Sequence, residues 1–120
     1  MMKLSSVHHI SLNVTDLAAA MAFYQDILGF SEIDRPDLRF PGGWLSMGDQ
    51  QLHLLQVSEF TAPKGQHFAF GVKDLQAVRS ELITQGVEVS EPTTIPGVCE
   101  QCFFQDPSGN LLELNQPLAG

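Results

Sequence analysis

Apolar and polar residues alternate along two short stretches of the chain, and the two stretches resemble each other. Residues 9–17 read His-Ile-Ser-Leu-Asn-Val-Thr-Asp-Leu, and residues 67–75 read His-Phe-Ala-Phe-Gly-Val-Lys-Asp-Leu. Alternation with a period of two predicts a β-strand that buries one face. Histidine, valine, aspartate and leucine recur in register, which indicates a duplicated unit of about sixty residues.

Each predicted strand leads into a helical pattern. Asp16 and Asp74 stand where a carboxylate accepts hydrogen bonds from the unpaired amides at a helix start. Gly29 and Gly86 suit the left-handed residue that follows a helix. The apolar stripes of the two helices keep three-to-four spacing and comprise Leu17, Met21, Tyr24 and Leu28, then Leu75, Val78 and Leu82.

Further short apolar runs, bounded by turn residues, predict the remaining strands. We expect strands near 7–14, 30–34, 43–48, 51–57, 66–72, 87–91, 98–105 and 110–116. The segment 106–110, Asp-Pro-Ser-Gly-Asn, has the composition of a tight turn. Each half therefore reads βαβββ. We predict a single domain over 1–120, with module one at about 5–57 and module two at about 66–117.

Composition narrows the classes of function. Fourteen acidic residues against six basic ones give a net charge of −8, and apolar residues make up 43% of the chain. A chain this acidic lacks the positive surface that nucleic acids and anionic membranes need, so we expect neither as a partner. No apolar run reaches the length of about 18 residues that spans a membrane, and the first residues lack the pattern of a signal peptide. A cytoplasmic location is the resulting prediction.

Two cysteines, Cys99 and Cys102, are too few for a disulfide framework. Their spacing matches a redox motif, but such motifs lie at a helix N-terminus. On a strand, residues three apart face opposite sides and bridge poorly. We therefore expect two reduced thiols.

Four possible metal donors occupy equivalent places in the two halves. His9 and His67 lie on matching strands and on the face opposite the helix, because side chains alternate between the faces of a strand. His53 and Glu113 are each flanked by leucines in the closing strands, which places them on the same open face. Imidazole and carboxylate suit a divalent transition metal. His8 neighbours His9 but should point away, so it is left out of the set.

These residues belong to a longer set of motifs that carries a family resemblance. The chain resembles the vicinal oxygen chelate superfamily, which includes glyoxalase I, extradiol dioxygenases, fosfomycin-resistance enzymes and bleomycin-binding proteins. The matching pieces are Val7-His8-His9-Ile10, Asp16-Leu17, Phe23-Tyr24, Leu28-Gly29-Phe30, Gly65-Gln66-His67, Asp74-Leu75 and Asp106-Pro107-Ser108-Gly109-Asn110 with Glu113. The resemblance implies an α+β fold, in which two tandem βαβββ modules form a curled sheet with a metal-containing cleft.

The resemblance also implies roles for the donors. His9, His67 and Glu113 match the shared metal ligands, and His53 stands where glyoxalase I has a further glutamate. The set is either three histidines and one glutamate, or two histidines and one carboxylate with His53 as an accessory. It implies one divalent ion, with nickel, zinc, manganese, iron and cobalt left open. Glu113 is the candidate catalytic base that would move a proton between neighbouring carbons.

Five residues are candidates for binding substrate. Asn13 stands where glyoxalase I has a basic residue that holds glutathione. Arg39 and Trp44 lie in a loop that could form the lip of the cleft. Gln101 and Phe103 alternate onto the predicted cleft face.

The function implied by the resemblance is a divalent-metal-dependent lyase or isomerase, similar to glyoxalase I, acting on a small oxygen-chelating substrate. Two alternatives stay open, an iron(II) extradiol-type dioxygenase and a non-catalytic ligand-binding protein of the bleomycin-resistance kind. A homodimer is expected, because relatives pair modules across chains and an open sheet has exposed edges.

Overall fold

A computed structural model describes residues 1–118 of the chain. The chain divides into two compact units, one spanning Met1–Phe60 and the other beginning at Thr61. Each unit contains a four-stranded sheet and one α-helix. The predicted α+β fold of two βαβββ modules is confirmed. Over the described residues, no helix is long and apolar enough to cross a membrane.

Module one follows the βαβββ order. Its elements are β1 (His9–Val14), α1 (Leu17–Ala22), a π-helical turn (Phe23–Ile27), β2 (Ser31–Ile33), β3 (Gly42–Met47) and β4 (Gln50–Gln56). The strands lie in the order β1-β4-β3-β2. Only the β1–β4 pair of this sheet is parallel, because the helix connects β1 to the rest of the module.

Module two repeats this topology. Its elements are β5 (His67–Gly71), α2 (Leu75–Thr84), β6 (Thr93–Ile95), β7 (Cys99–Gln105) and β8 (Leu111–Pro117). The order is β5-β8-β7-β6, again with its parallel pair, β5 and β8, at one edge. The first and last strands of each module are therefore neighbours, and this adjacency brings the candidate donors together in pairs.

The predicted strand at 87–91 is wrong, and β6 begins instead at Thr93. The Arg79 guanidinium of α2 donates to the carbonyl oxygens of Val89 and Ser90, at 3.3 and 2.9 Å. The Ser90 hydroxyl oxygen also accepts the Phe103 amide of β7, at 2.8 Å. The segment keeps one backbone bond to β7, from the Ser90 amide to the Phe103 carbonyl oxygen at 2.9 Å, and side chains take the other hydrogen bonds named here.

Both helix starts are capped as predicted. Asp16 Oδ1 accepts the Ala19 amide at 3.0 Å, and Asp74 Oδ1 accepts the Ala77 amide at 3.1 Å. These bonds satisfy amides that have no partner inside the helix. The glycines predicted after the helices, Gly29 and Gly86, have φ angles of +80° and +87°.

Each sheet buries the face that carries its helix, and on the opposite, donor-bearing face the edge strands β1 and β5 are exposed. On β1, His9, Ser11 and Asn13 are exposed, and Val14 on the other face is buried. His67, Ala69 and Gly71 of β5 are exposed in the same alternation. On the helix-bearing face, the buried apolar side chains are Leu45, Leu52 and Leu54 of β3 and β4 in module one, and Cys102, Phe104, Leu112 and Leu114 of β7 and β8 in module two.

Candidate metal centre

The parallel pairing of β1 and β4 places two of the predicted donors side by side. Ser11 lies opposite His53 in the register, and His9 is two residues earlier on the same face. The rings of His9 and His53 stack with their centroids 4.0 Å apart and their planes at 18°. Trp44 of β3 stacks on the other side of His53, at 4.2 Å and 8°. His53 is thus held between two rings.

His53 is also held by a hydrogen bond within its own strand. Its Nε2 lies 2.9 Å from Gln51 Oε1, and because an amide oxygen only accepts, Nε2 is the donor. The side chain is buried, with 9% of the residue exposed. Burial and the nearby His9, His8 and Arg35 side chains lower the pKa of His53. The ring is therefore neutral at pH 7, with its lone pair on Nδ1.

His8 does not point away from His9, and that prediction is wrong. Its ring packs edge-on against the His9 ring, and the two Nδ1 atoms lie 3.0 Å apart. The alternation rule fails because His8 precedes β1, which begins at His9. When His9 donates its Nδ1 proton to His8, the lone pair of its Nε2 is available to a metal ion.

In module two, the parallel pairing of β5 and β8 brings His67 and Glu113 into direct contact. His67 Nε2 lies 2.9 Å from Glu113 Oε1. The other ring nitrogen, Nδ1, donates to the Gly65 carbonyl oxygen at 2.8 Å. This second bond fixes the tautomer, so that the Nε2 lone pair of a neutral His67 points toward the carboxylate.

The Glu113 carboxylate is itself oriented by a neighbouring amide. Asn115 Nδ2 donates to Glu113 Oε2 at 2.7 Å and also contacts Cys99 Sγ at 3.4 Å. Glu113 is buried, with 5% of the residue exposed. Phe103, its partner across β7 and β8, stands edge-on to His67 with ring centroids 5.4 Å apart. One oxygen of Glu113 is thus occupied and the other is left for His67.

The donor chemistry of this pair fits a divalent cation. Imidazole nitrogen and carboxylate oxygen are both common ligands of such ions, and His67 Nε2 and Glu113 Oε1 lie 2.9 Å apart, so the two atoms could hold one ion together. Each donor also has the outer hydrogen bond that orients metal ligands in proteins. Among residues 1–118, neither module contains a group of three or more His, Cys, Asp or Glu side chains that is placed to hold a metal ion.

The candidate substrate residues fall into different settings. Trp44 packs on His53 and lines a pocket of about 140 Å³ in module one. Asn13 is exposed on the open face of β1, and Gln101 lies opposite Asn115 across β7 and β8. Arg39 is exposed, with a φ of 68°, and the arginine that lines the pocket is Arg35.

Sequence analysis missed several residues that support the donors, namely Gln51, Gly65, Asn115, His8 and Arg35. Gln51 and Asn115 carried a usable signal, since each lies two residues from a donor on the same face of its strand. Gly65 acts through its carbonyl oxygen, which no residue type reveals.

Both cysteines are free, as predicted, and both are buried. Burial raises the pKa of the Cys102 thiol, which disfavours the reactive thiolate.

Known proteins share this architecture, and their sequences align with most of the chain. The profile of the Glyoxalase/Bleomycin resistance protein/Dioxygenase superfamily matches residues 6–114. Glyoxylase I 4 of Arabidopsis thaliana is 32% identical over 92% of this chain and 70% of its own length. The uncharacterized protein YaeR of Escherichia coli is 33% identical, over 95% and 98%. A glyoxalase family protein from Bacillus anthracis superposes with a TM-score of 0.87 at 27% identity, covering 98% of each chain.

The paired βαβββ modules, each with polar donors on its open sheet face, define a two-module α+β protein of the vicinal oxygen chelate type. The chain belongs to the Glyoxalase/Bleomycin resistance protein/Dioxygenase superfamily. The resemblance drawn from the motifs is thereby confirmed.

Proposed function

We propose that the protein is a divalent-metal-dependent enzyme that catalyses a lyase or isomerase reaction on a small substrate with two adjacent oxygens. His9, His67 and Glu113 would hold the ion. His53 would act as an accessory, because its Nε2 is engaged by Gln51 and its ring is stacked on both sides. Coordination by both His9 and His53 would require one ring to leave the stack, since a metal binds in the plane of an imidazole.

The contact between His67 and Glu113 is the observation that supports this proposal. A histidine whose Nδ1 is tied to a carbonyl and whose Nε2 faces a buried carboxylate is a prepared ligand pair. A merely structural pair would be costly, because burying a charged carboxylate requires compensation. A bound cation would supply that compensation to both donors.

The residues of the pair divide the chemistry between them. A bound ion would act as a Lewis acid toward the two substrate oxygens. Glu113 would accept a proton from one substrate carbon and return it to the next, which calls for a carboxylate held beside the substrate. Asn115 keeps Oε2 in place, so Oε1, the oxygen that faces His67, would have to release the ion while it carries this proton. Trp44 and Phe103 would supply apolar walls, and Asn13, Arg39 and Gln101 stay candidates for polar contacts with substrate.

Metal binding is the first test. Protein freed of metal by chelation would be titrated with nickel, zinc, manganese, iron(II) and cobalt, and its metal content measured by mass spectrometry. We expect one ion per chain, and we expect His67→Gln and Glu113→Gln each to weaken binding by more than the roughly 10- to 100-fold typical of an outer-shell partner. Glu81→Gln, an exposed helix position, is the control. Binding that survives both substitutions would refute the proposal.

Activity assays then separate the family's chemistries. Turnover of a hemithioacetal with a bound ion would support the glyoxalase-like reaction. Oxygen uptake with catechols and iron(II) would instead support the dioxygenase, and ligand binding without any metal would support a bleomycin-resistance-like role. We also propose a cytoplasmic homodimer, which sedimentation of the purified chain would test.

A further inference from the structure

A pocket of about 140 Å³ lies wholly within module one, beside His53. Its walls are mostly apolar and aromatic, and they contain one positively charged group. The lining residues are Ser11, Arg35, Leu38, Phe40, Trp44, His53, Leu54 and Leu55. For comparison, a cavity of about 150 Å³ accommodates benzene. The pocket therefore has room for a group the size of a small ring.

The Arg35 guanidinium in this pocket is fixed by its surroundings. Its Nη2 donates to the Phe40 carbonyl oxygen at 2.9 Å, and its central carbon lies 4.8 Å from the centre of the Phe40 ring. It also lies close against the backbone of β3, since a Cβ added at Gly42 would be 3.0 Å from Nη2 and 2.4 Å from the Leu54 carbonyl oxygen. The arginine is thus held in place in the absence of any ligand.

One donor of this guanidinium has no partner. Among the side chains of residues 1–118, Arg35 Nε is the single buried nitrogen or oxygen without a hydrogen bond. No carboxylate within those residues forms an ion pair with it. An unpaired buried donor is costly, and the cost is greater when the group is charged. The guanidinium thus lines a ring-sized pocket with its charge unpaired, which indicates an anionic ligand group that would accept a short charge-assisted hydrogen bond from it.

We infer that Arg35 binds the carboxylate of a small, flat and otherwise apolar ligand in this pocket. Trp44 offers a face for stacking, and Leu38, Phe40 and Leu55 enclose the body of the ligand. The identity of this ligand as the substrate rests on the proposed function. Binding of the carboxylate itself needs only module one and no metal ion. The residue that contacts the anion is then Arg35, which lines the pocket, rather than Arg39.

Trp44 is the only tryptophan of the chain, so its fluorescence reports directly on the pocket. Chelator-treated full-length protein would be titrated with benzoate and, in parallel, with benzamide and benzyl alcohol as neutral rings of similar size. We expect saturable quenching by benzoate and at least tenfold weaker responses to the neutral compounds. Equal responses to all three would overturn the inference, because the guanidinium would then contribute nothing.

Variants test whether Arg35 is the residue that binds benzoate. Arg35→Gln should weaken benzoate binding by about 10- to 100-fold, as expected for loss of a hydrogen bond to a charged group. Lys3→Gln removes the same charge from an exposed position and should leave binding within twofold. A larger effect of Arg39→Gln than of Arg35→Gln would overturn the assignment.

Folding of each variant would be checked by circular dichroism. If Arg35→Gln does not fold, Arg35→Lys decides, because it keeps the charge and loses the planar guanidinium that binds a carboxylate through two parallel hydrogen bonds. Binding at least tenfold weaker would support the inference, and unchanged binding would overturn it. Because these titrations contain no metal, a failure here is distinct from a failure of the metal site.

Discussion

Gln56 and Gln116 make the same hydrogen bond in the two modules. Gln56 Oε1 accepts the Leu17 amide at 3.0 Å, and Gln116 Oε1 accepts the Leu75 amide at 2.8 Å. Each glutamine lies three residues after a candidate donor of the closing strand and satisfies the first amide of its helix. Both modules thus have a hydrogen bond that links the closing strand, β4 or β8, to the start of the helix.

Removing this hydrogen bond should destabilise the module in which it is lost. We expect Gln56→Ala and Gln116→Ala each to lower the free energy of unfolding by about 1 kcal/mol, the typical net value of one hydrogen bond. Urea denaturation followed by far-ultraviolet circular dichroism would measure it. Gln105→Ala, another glutamine at a strand end, is exposed and should change stability by less than half as much. Equal losses in all three variants would show that this hydrogen bond contributes nothing.

The turn between β7 and β8 depends on a buried aspartate. Asp106 Oδ1 accepts the amides of Ser108 and Asn110, both at 2.9 Å, and Oδ2 accepts Asn110 Nδ2 at 2.9 Å. Asp106→Ala removes the acceptor of these three hydrogen bonds, and we expect a loss of about 1–3 kcal/mol in the free energy of unfolding. Asp49→Ala, in the exposed turn between β3 and β4, is the matched control. Equal effects in the two turns would contradict this expectation.

His53 should make stability depend on pH. Burial is the main cause of its lowered pKa, followed by the nearby His9. The unfolded chain therefore binds a proton more readily than the folded one, so this contribution to stability is present above the unfolded pKa of about 6.5. It should be lost as pH falls from there through the lower folded pKa.

The measurement is an NMR titration of the His53 ring, with urea unfolding at pH 7.5 and 5.5. In His9→Gln the midpoint of His53 should rise, because one neighbouring cation is removed. His53→Gln should reduce the difference in stability between the two pH values. A His53 midpoint at or above the ordinary value would show that this explanation is wrong.

Asn115 should tune metal affinity without binding the metal. Its bond to Glu113 Oε2 orients the carboxylate, so we expect Asn115→Ala to weaken metal binding by about 10- to 100-fold. Competition against a chelator of known affinity would measure the change. Gln105→Ala serves again as the control, and an Asn115 variant with unchanged affinity would argue against an orienting role.

The two thiols should resist modification in the folded protein. Cys99 and Cys102 are both buried, and the raised pKa of Cys102 lowers its thiolate fraction further. A thiol reagent at pH 8 should react with them at a rate limited by opening of the structure, and with both at once in urea. Rapid reaction of either cysteine without denaturant would contradict the buried placement.

Much of the architecture could be predicted because local rules decide it. The alternation at His9 and His67, the caps at Asp16 and Asp74, and the turn at 106–110 all act within a few residues of sequence. The strand predicted at 87–91 lies instead at Thr93–Ile95, because Arg79 of α2 donates to the carbonyl oxygens of residues 89 and 90. Such contacts between distant segments leave no periodic signal.

The candidate metal donors could be predicted from the sequence, whereas sequence analysis missed the residues that orient them. His53 and Glu113 could be placed on a face by strand alternation. Arg35 and Arg39 could not be told apart, because a loop without a period does not fix side-chain direction. The positive φ of Arg39 and the absence of a Cβ at Gly42 shape this loop, and both are properties of the folded backbone.

The adjacency of the first and last strands in each module has a consequence for domain exchange. The stacked rings of His9 and His53 and the bond between His67 and Glu113 each form inside one half of the chain. Two chains that traded whole halves across the connection at 58–65 would break neither contact. In an assembly of any stoichiometry, each half of the chain therefore keeps its own pair of donors in contact, His9 with His53 or His67 with Glu113.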